Sequence, residues 1–358
     1  MTSTDRPGAR LFDPAALQQA MIRRMYRRST AAGQISLPAV PAMIDAYVRV
    51  CDDLFATVGV HYTEDEFDQL RAELSDRLAQ AYAASPRSNV VISFQAPFGT
   101  AMHYRIQAES SSIGDAYDQW ISTREGPLFG IHPDARVWEL AGESADSAAC
   151  PVLDIGAGTG RNALALARRG HPVDAVEIAA KLAQTIRYEA ERESLDVRVV
   201  VRDVFESTET LRRDYQLIVA SEVVPDFRTT EQLRALFELA ANCLVPGGRL
   251  VLNTFRTRHG YVPDNMAREF GQQCNTMFFT HAEIVDAAEG LPLDLVADDS
   301  ARQYEQEHLP AGTWPPTAWY ADWSSGLDLF DVDPDKSPIE LRWLVYQKPG
   351  MPPAPTQL

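Results

Sequence analysis

The stretch VLDIGAGTGRNALALARRG, residues 152–170, decides the fold: a short apolar run reaches Asp154, glycines follow at Gly156, Gly158 and Gly160, and an amphipathic segment starts at Arg161. A strand that ends on an acid and turns through glycines into a helix brings its backbone close to a ligand. The spacing is GxGxG, whereas a dinucleotide cradle is GxGxxG; Arg161 stands where the last glycine would be. No Gly-Lys-Ser or Gly-Lys-Thr follows, so the P-loop signature is absent as well. The turn therefore predicts close backbone approach to a ligand without a diphosphate. The Asp154 carboxylate is suited to accept from a cationic or hydroxyl-bearing group.

Outward from the turn, short apolar runs alternate with amphipathic segments. PVLDIGA, PVDAVEI, DVRVVVRD, YQLIVASE and GGRLVLNTF read as strands, and RNALALARRG and TEQLRALFELAANCL as helices between them. This pattern predicts an α/β fold with a mostly parallel sheet covered on both faces, whose ligand site lies beyond the carboxyl ends of the strands. Two further acids end strands there. Glu177 follows the glycine turn by about 20 residues, where a carboxylate can accept both hydroxyls of a ribose. Asp203 ends the third strand, placed to accept from an exocyclic amine, with Val204 and Phe205 beside it to pack on a ring. Together these acids fit an adenosine without phosphates.

In this set of motifs the chain resembles the class I S-adenosylmethionine-dependent methyltransferases. DIGAGTG is similar to their first motif, Glu177 to their ribose-binding acid, Asp203 to their adenine-binding acid, YQLIVASEVVPDF to their fourth motif, and LVPGGRLVLNTF to the turn and strand that follow. The resemblance spans roughly residues 148 to 347. It implies a Rossmann-like seven-stranded sheet with helices on both faces and S-adenosylmethionine as cofactor. It also implies cofactor contacts from Asp154, Gly156, Ala157, Gly158, Gly160, Asn162, Glu177, Ile178, Asp203, Val204, Phe205 and Ser221. By the same resemblance Ser221 and Glu222 border the transferred group, and the helix GDAYDQW brings Tyr117 over the cofactor or substrate. SEVVPDF departs from the Asn-Pro-Pro-aromatic and Asp-Pro-Pro-aromatic patterns of enzymes that methylate nucleic-acid or protein amides. That departure favours a small-molecule acceptor with an N, O or S nucleophile.

Several residues keep a local reading beside the functional one. Asp154 can cap the helix that follows, Asn162 can satisfy backbone groups in the first helical turn, and Asp226 reads as the cap before FRTTEQL. The aromatic stretch at 311–330 serves either as core or as the wall of a substrate pocket, and Tyr117 and Trp120 either as lid contacts or as buried anchors. Two other reaction classes also stay open. One uses the same cofactor for cyclisation or aminocarboxypropyl transfer, releasing methylthioadenosine in the latter; the other is a non-catalytic cofactor sensor.

The remaining sequence divides into two parts. Residues 1–125 read as a helical layer with a β-hairpin, forming a lid, a substrate region or a dimerisation surface; residues 126–350 form the α/β domain. DPAALQQAMIRRMYRR, PAVPAMIDAYVRVCDDLFATVG and TEDEFDQLRAELSDRLAQAYA have helical spacing, the last with a Thr63/Glu66 capping box. NVVISFQAP and AMHYRIQAE read as a hairpin joined through Pro97 and Gly99. Over 358 residues, 33 Lys and Arg stand against 50 Asp and Glu, a formal charge of -17 that repels nucleic-acid phosphates and anionic membranes. Cys51, Cys150, Cys243 and Cys274 show no CxxC, and the seven histidines show no HExxH or HxH, so no metal site is expected. MTSTDRPGAR lacks the apolar core of a signal peptide, and with the scattered cysteines this predicts a cytoplasmic protein. A homodimer stays open.

Overall fold

A computed structural model describes residues 13–97, 102–124 and 126–350, and divides the chain between Ser110 and Ser111 into two compact units. The MTSTDRPGAR start and Gly99 of the hairpin connection lie outside the described residues.

The first unit contains α1 (Pro14–Arg28), β1 (Thr30–Pro38), α2 (Ile44–Thr57), α3 (Glu64–Ala84), β2 (Asn89–Pro97) and β3 (His103–Glu109). The Thr63/Glu66 capping box closes the start of α3 as its sequence predicts. Leu70, Leu74 and Leu78, each four residues apart, present one buried row that packs with Phe55, Ile92 and Phe94. Strand β1 is not evident in the sequence, because TAAGQISLP has a glycine at its centre and few large apolar residues. Its place comes from pairing: it adds to β2 in an antiparallel order β1-β2-β3. Gly33 lies opposite Phe94 in that register, and a Cβ at Gly33 would run into the Phe94 ring. The glycine here makes room for a buried aromatic side chain across the strand.

The second unit opens with α4 (Ile113–Ser122) and α5 (Ala135–Gly142). The sequence reading assigned GDAYDQW to the N-terminal layer; its contacts place α4 in the unit of the large sheet instead. There follow β4 (Val152–Ile155), α6 (Arg161–Arg168), β5 (Val173–Glu177), α7 (Ala180–Glu193), β6 (Val197–Val201), β7 (Tyr215–Ala220), α8 (Thr230–Cys243) and β8 (Leu244–Thr257). The unit ends with α9 (Asn265–Gln273), β9 (Phe278–Phe279), α10 (His281–Ala288), β10 (Asp294–Ser300), α11 (Ala301–His308), α12 (Tyr320–Ser325), α13 (Leu327–Phe330) and β11 (Ile339–Gln347).

Seven strands run in the order β10-β11-β8-β7-β4-β5-β6, and the two-residue β9 pairs with β8. Strands β4 to β8 are parallel, and β10 and β11 antiparallel. Alternate side chains separate two cores: Leu153, Ile218 and Leu252 face the layer of α8 and α10, whereas Val152, Val219 and Val251 face α6 and α12. The seven-stranded α/β sheet with helices on both faces is therefore present. Strand β10 escaped the sequence pattern because DLVADDS holds three aspartates; Asp298 is held there by Arg256 and Arg342.

The Gly33 contact is checked by Gly33→Val, which should lower stability by about 1–3 kcal/mol because the added atoms overpack the Phe94 ring. Urea unfolding measures it; an unchanged midpoint would show that the ring shifts aside freely.

Candidate functional site

The carboxyl end of β4 lies at a switch in strand order, since β5 and β6 follow on one side and β7 and β8 on the other. Gly156 and Gly158 take φ of +64° and +57°, backbone that disfavours a Cβ. A Cβ on Gly156 would run into Val223, and one on Gly158 would lie 3.5 Å from the Phe129 ring. The Gly156 N–H donates to the Val176 carbonyl at 2.8 Å, and the Gly158 N–H to Glu177 Oε2 at 2.7 Å. Glu177 Oε1 accepts from the Ala179 N–H at 2.8 Å. Glu177 is thus fixed against the turn, with the Ile178 N–H as a third backbone donor to its carboxylate. Burial pushes its carboxyl above the usual range, opposed by those N–H donors.

Asp154 is 2% exposed. Its carboxylate accepts from the Ala163 N–H in the first turn of α6, while Oδ2 has no partner. The capping role is real, and one buried oxygen is left over. Burial first, and then the charge of Asp134, push its carboxyl up to about 7.

Beneath the turn lies a buried ionic cluster centred on Arg161. Its guanidinium bonds to Asp134 and to Glu222 Oε1, each at 2.8 Å. Burial opposes the charge on Arg161, but Asp134 and Glu222 hold its proton more tightly than in free arginine. Asn162 grips Asp134 twice: its Nδ2 donates to the carboxylate at 2.8 Å, and its Oδ1 accepts from the Asp134 N–H at 2.9 Å. Ser221 Oγ donates to the same carboxylate at 2.7 Å. Glu222 has φ of +60°, costly for a residue with a Cβ, and its N–H donates to Asn253 Oδ1 at 2.6 Å. Burial pushes Glu222 up to about 7, against the pull of Arg161.

Helix α4 reaches across this end of the sheet. Gly114 approaches the Ile178 carbonyl, Lys181 Nζ donates to the Asp118 carbonyl at 3.2 Å, and Tyr117 Oη donates to Asp226 Oδ2 at 2.6 Å. Asp226 therefore holds α4, and Thr229 is the cap of α8, in place of the capping role read for Asp226 from sequence. Trp120 stacks toward Phe129 at 5.5 Å, and Phe129 meets Trp319 edge-on at 6.4 Å. Asp203 caps a short 3₁₀ turn, Val204–Glu206, by accepting from the Phe205 N–H at 2.9 Å; Phe205 packs on Phe227. Ile178 is 42% exposed. In the aromatic stretch, Tyr320 and Trp323 are buried in the core.

Sequence spacing gave no sign of Asp134, Asn253 or Glu305, whereas Tyr320 belongs to the aromatic stretch read as core or pocket wall. Glu305, in α11, accepts from the Ala135 N–H at 2.8 Å and from Trp343 Nε1 at 3.0 Å, so it caps α5 from across the chain. Burial, followed by the Asp134 charge, pushes it up to about 8. Arg161 did carry a signal, as the residue replacing a glycine, but its charge was not used. Among the described residues no group of three or more His, Cys, Asp or Glu is arranged to hold a metal ion, and no helix is long and apolar enough to cross a membrane.

Residues 152–248 match the sequence family described as a methyltransferase domain. A comparison with curated proteins gives no match. Among solved structures, a putative sarcosine dimethylglycine methyltransferase from Galdieria sulphuraria aligns at 15% identity and a TM-score of 0.48, over 66% of this chain and 99% of that one. The [4+2]-cyclase SpnF aligns at 13% identity and 0.46, over 66% and 95%. Geranyl diphosphate C-methyltransferase from Streptomyces coelicolor A3(2), solved with S-adenosylhomocysteine, aligns at 15% and 0.46, over 66% and 96%. The matched residues run from the start of β4 through the glycine turn, Glu177 and Asp203 into β8.

The ionic cluster makes Arg161→Met a sensitive test, because removing one partner of a buried ion pair costs about 3–5 kcal/mol. The loss should be largest near pH 8 and shrink toward pH 6, since Asp154, Glu222 and Glu305 take up protons as pH falls through their raised values of about 7 to 8. Denaturant unfolding at the two pH values checks it; a loss independent of pH would remove these carboxyls as the cause.

Proposed function

We propose that this protein transfers a methyl group from S-adenosylmethionine to a small-molecule acceptor. The observation that carries the reading is the unpartnered Oδ2 of Asp154, buried under the glycine turn at the switch in strand order. A buried acceptor left without a donor is unfavourable, so such an atom marks the place of a ligand donor. The surrounding charges point the same way: Asp134, Asp154 and Glu222 exceed the one guanidinium of Arg161 that is bonded among them. A cationic ligand relieves that excess.

Bound here, the cofactor would supply a methyl group activated on a sulfonium. Asp154 would accept from its ammonium, and the turn from Gly156 to Gly160 would hold its methionyl part. Glu177 would hold the ribose with the acceptor capacity left by the Gly158, Ile178 and Ala179 N–H groups. Asp203, with Val204 and Phe205, would take the adenine edge and face, with Ile178 beside it. Asn162 and Ser221 act through Asp134, which they orient. Glu222 stands at the reacting end, and its raised proton affinity suits a group that accepts a proton from the acceptor. Helix α4, held by Tyr117, covers the site and excludes water. The negative charge of the chain and the SEVVPDF segment favour a small molecule over nucleic acid. Four free cysteines fit a reduced cytoplasmic setting.

Calorimetry should show binding of S-adenosylmethionine and S-adenosylhomocysteine, with affinity rising from pH 6 to pH 8 and a proton released on binding. The sign follows from Asp154: its carboxyl is near half-protonated at about 7 and must ionise to receive an ammonium. Asp154→Asn should remove both the pH dependence and most of the affinity; binding unchanged in Asp154→Asn would overturn the assignment. With acceptor libraries, S-adenosylhomocysteine as the product supports methyl transfer, whereas methylthioadenosine means aminocarboxypropyl transfer.

Tyr117→Phe separates a cover from an anchor. Loss of its bond to Asp226 should speed S-adenosylhomocysteine dissociation about two- to tenfold, the factor expected for one hydrogen bond. The melting temperature should stay within about 2 °C, as for a change outside the core. Stopped-flow measurement beside a melting curve decides; stability and retention falling together would favour the anchor.

A further inference from the structure

Tyr320 is 1% exposed, and its hydroxyl has no hydrogen-bond partner. Its ring is firmly placed, with Trp314 edge-on at 5.6 Å and Trp319 and Trp323 at 5.8 and 5.7 Å. The unpartnered oxygen is therefore a property of where the ring is held. The charges that bear on it are those of Glu305, Glu222, Asp134 and Arg161. Tyr320 thus faces the ionic cluster from the side of α12. Asp154 Oδ2, another buried oxygen without a partner, lies under the glycine turn and is assigned above to the cofactor. The hydroxyl of Tyr320 is left for a different group.

We infer that the acceptor carries an amine nitrogen, received by Tyr320 and Glu222. The inference rests on the methyltransferase reading above and adds the acceptor's class to it. The site's surplus charge excludes the main rivals. A carboxylate or phosphate brought here would add an anion to carboxyls that already outnumber their guanidinium. An apolar group would leave the buried Tyr320 hydroxyl without a partner. An ammonium offers three N–H donors and a positive charge, meeting both needs. The partly buried faces of Trp314 and Trp319 beside Tyr320 add attraction for a cation.

The chemistry balances with the sulfonium donor named above. The ammonium gives one proton to the Glu222 carboxylate; the freed lone pair then forms the N–C bond while the C–S pair stays on sulfur. The product is a methylated ammonium beside a neutral thioether and a protonated Glu222, which returns its proton to water.

The test uses the full chain saturated with S-adenosylhomocysteine and calorimetric titration with n-butylamine and phenethylamine, each compared with its alcohol and carboxylate of similar length. At least one amine should bind about tenfold or more tightly than its alcohol, as expected for a charge-assisted contact. Its carboxylate should not bind. Glu222→Gln should abolish the preference for the amine. Tyr320→Phe should weaken the amine about three- to tenfold, the effect of one lost hydrogen bond, and leave S-adenosylhomocysteine affinity within about twofold. Tyr320→Phe should also raise the melting temperature of the protein without added ligand, because a buried unbonded hydroxyl is removed. Should Tyr320→Phe fail to fold, Glu222→Gln alone carries the decision. Alcohol or carboxylate binding equal to the amine, no binding of either amine, or equal weakening of S-adenosylhomocysteine by Tyr320→Phe would overturn the inference. Failure of the unaltered protein to bind S-adenosylhomocysteine would be a separate result, striking the methyltransferase reading and this inference with it.

Discussion

Arg161 is an arginine buried at the start of a helix, where the aligned peptide dipoles already present positive charge. Neither burial nor dipole favours it there. Asp134 and Glu222 make the arrangement stable, and in doing so they join three distant pieces of chain: the segment before α5, the first turn of α6 and the end of β7. Replacing such a cluster with well-packed apolar residues often leaves stability unchanged or higher, so its presence is not explained by stability. Its effect is positional. Asn162 and Ser221 bond the same Asp134 carboxylate, and that leaves the segment at 128–134 little choice but to run beside the glycine turn with Phe129 over Gly158.

The same cluster ties the site's charge to what it binds. Asp154, Glu222 and Glu305 all have carboxyls pushed upward by burial, so near neutral pH they hold part of a proton each. A cationic ligand shifts that balance toward the ionised form. The protein avoids the full cost of burying several anions by keeping them partly neutral until a cation arrives. An anionic partner finds no such compensation. The -17 charge of the whole chain acts at long range in the same direction, but salt screens it, whereas the buried carboxyls are screened much less.

What could be read from the sequence were the parts whose chemistry is local. Gly156 and Gly158 need positive φ, Glu177 ends β5 and Asp203 follows β6 by two residues, so their positions follow from neighbours within a few residues. The capping box at Thr63 is legible for the same reason. Asp134 and Glu305 have no such mark. Glu305 meets the α5 N-terminus 170 residues away in the chain, and only the return of β11 beside β8 brings that contact about. Asp226 shows a competing local signal: it resembles a helix cap in sequence, but Thr229 takes that role and leaves the acid free to bond Tyr117. Strands β1 and β10 were obscured because pairing and ion pairs, not apolar alternation, hold them.

Helix α4 follows from this division between what is packed and what is only bonded. It has a capping box at Ser112 and Asp115, so it persists as a helix by local means, yet none of its residues is fully buried. Its hold on the rest of the second unit comes from hydrogen bonds to Asp226 and Lys181 and from the Trp120 contact with Phe129. Lifting such an element opens no cavity in either core; it exchanges a few hydrogen bonds for water. Segments of that kind open at low free energy while the sheet beneath them stays intact. A rigid turn that fixes the ligand and a lightly fastened helix above it are complementary requirements, since a site that excludes water during reaction must still admit and release what it binds.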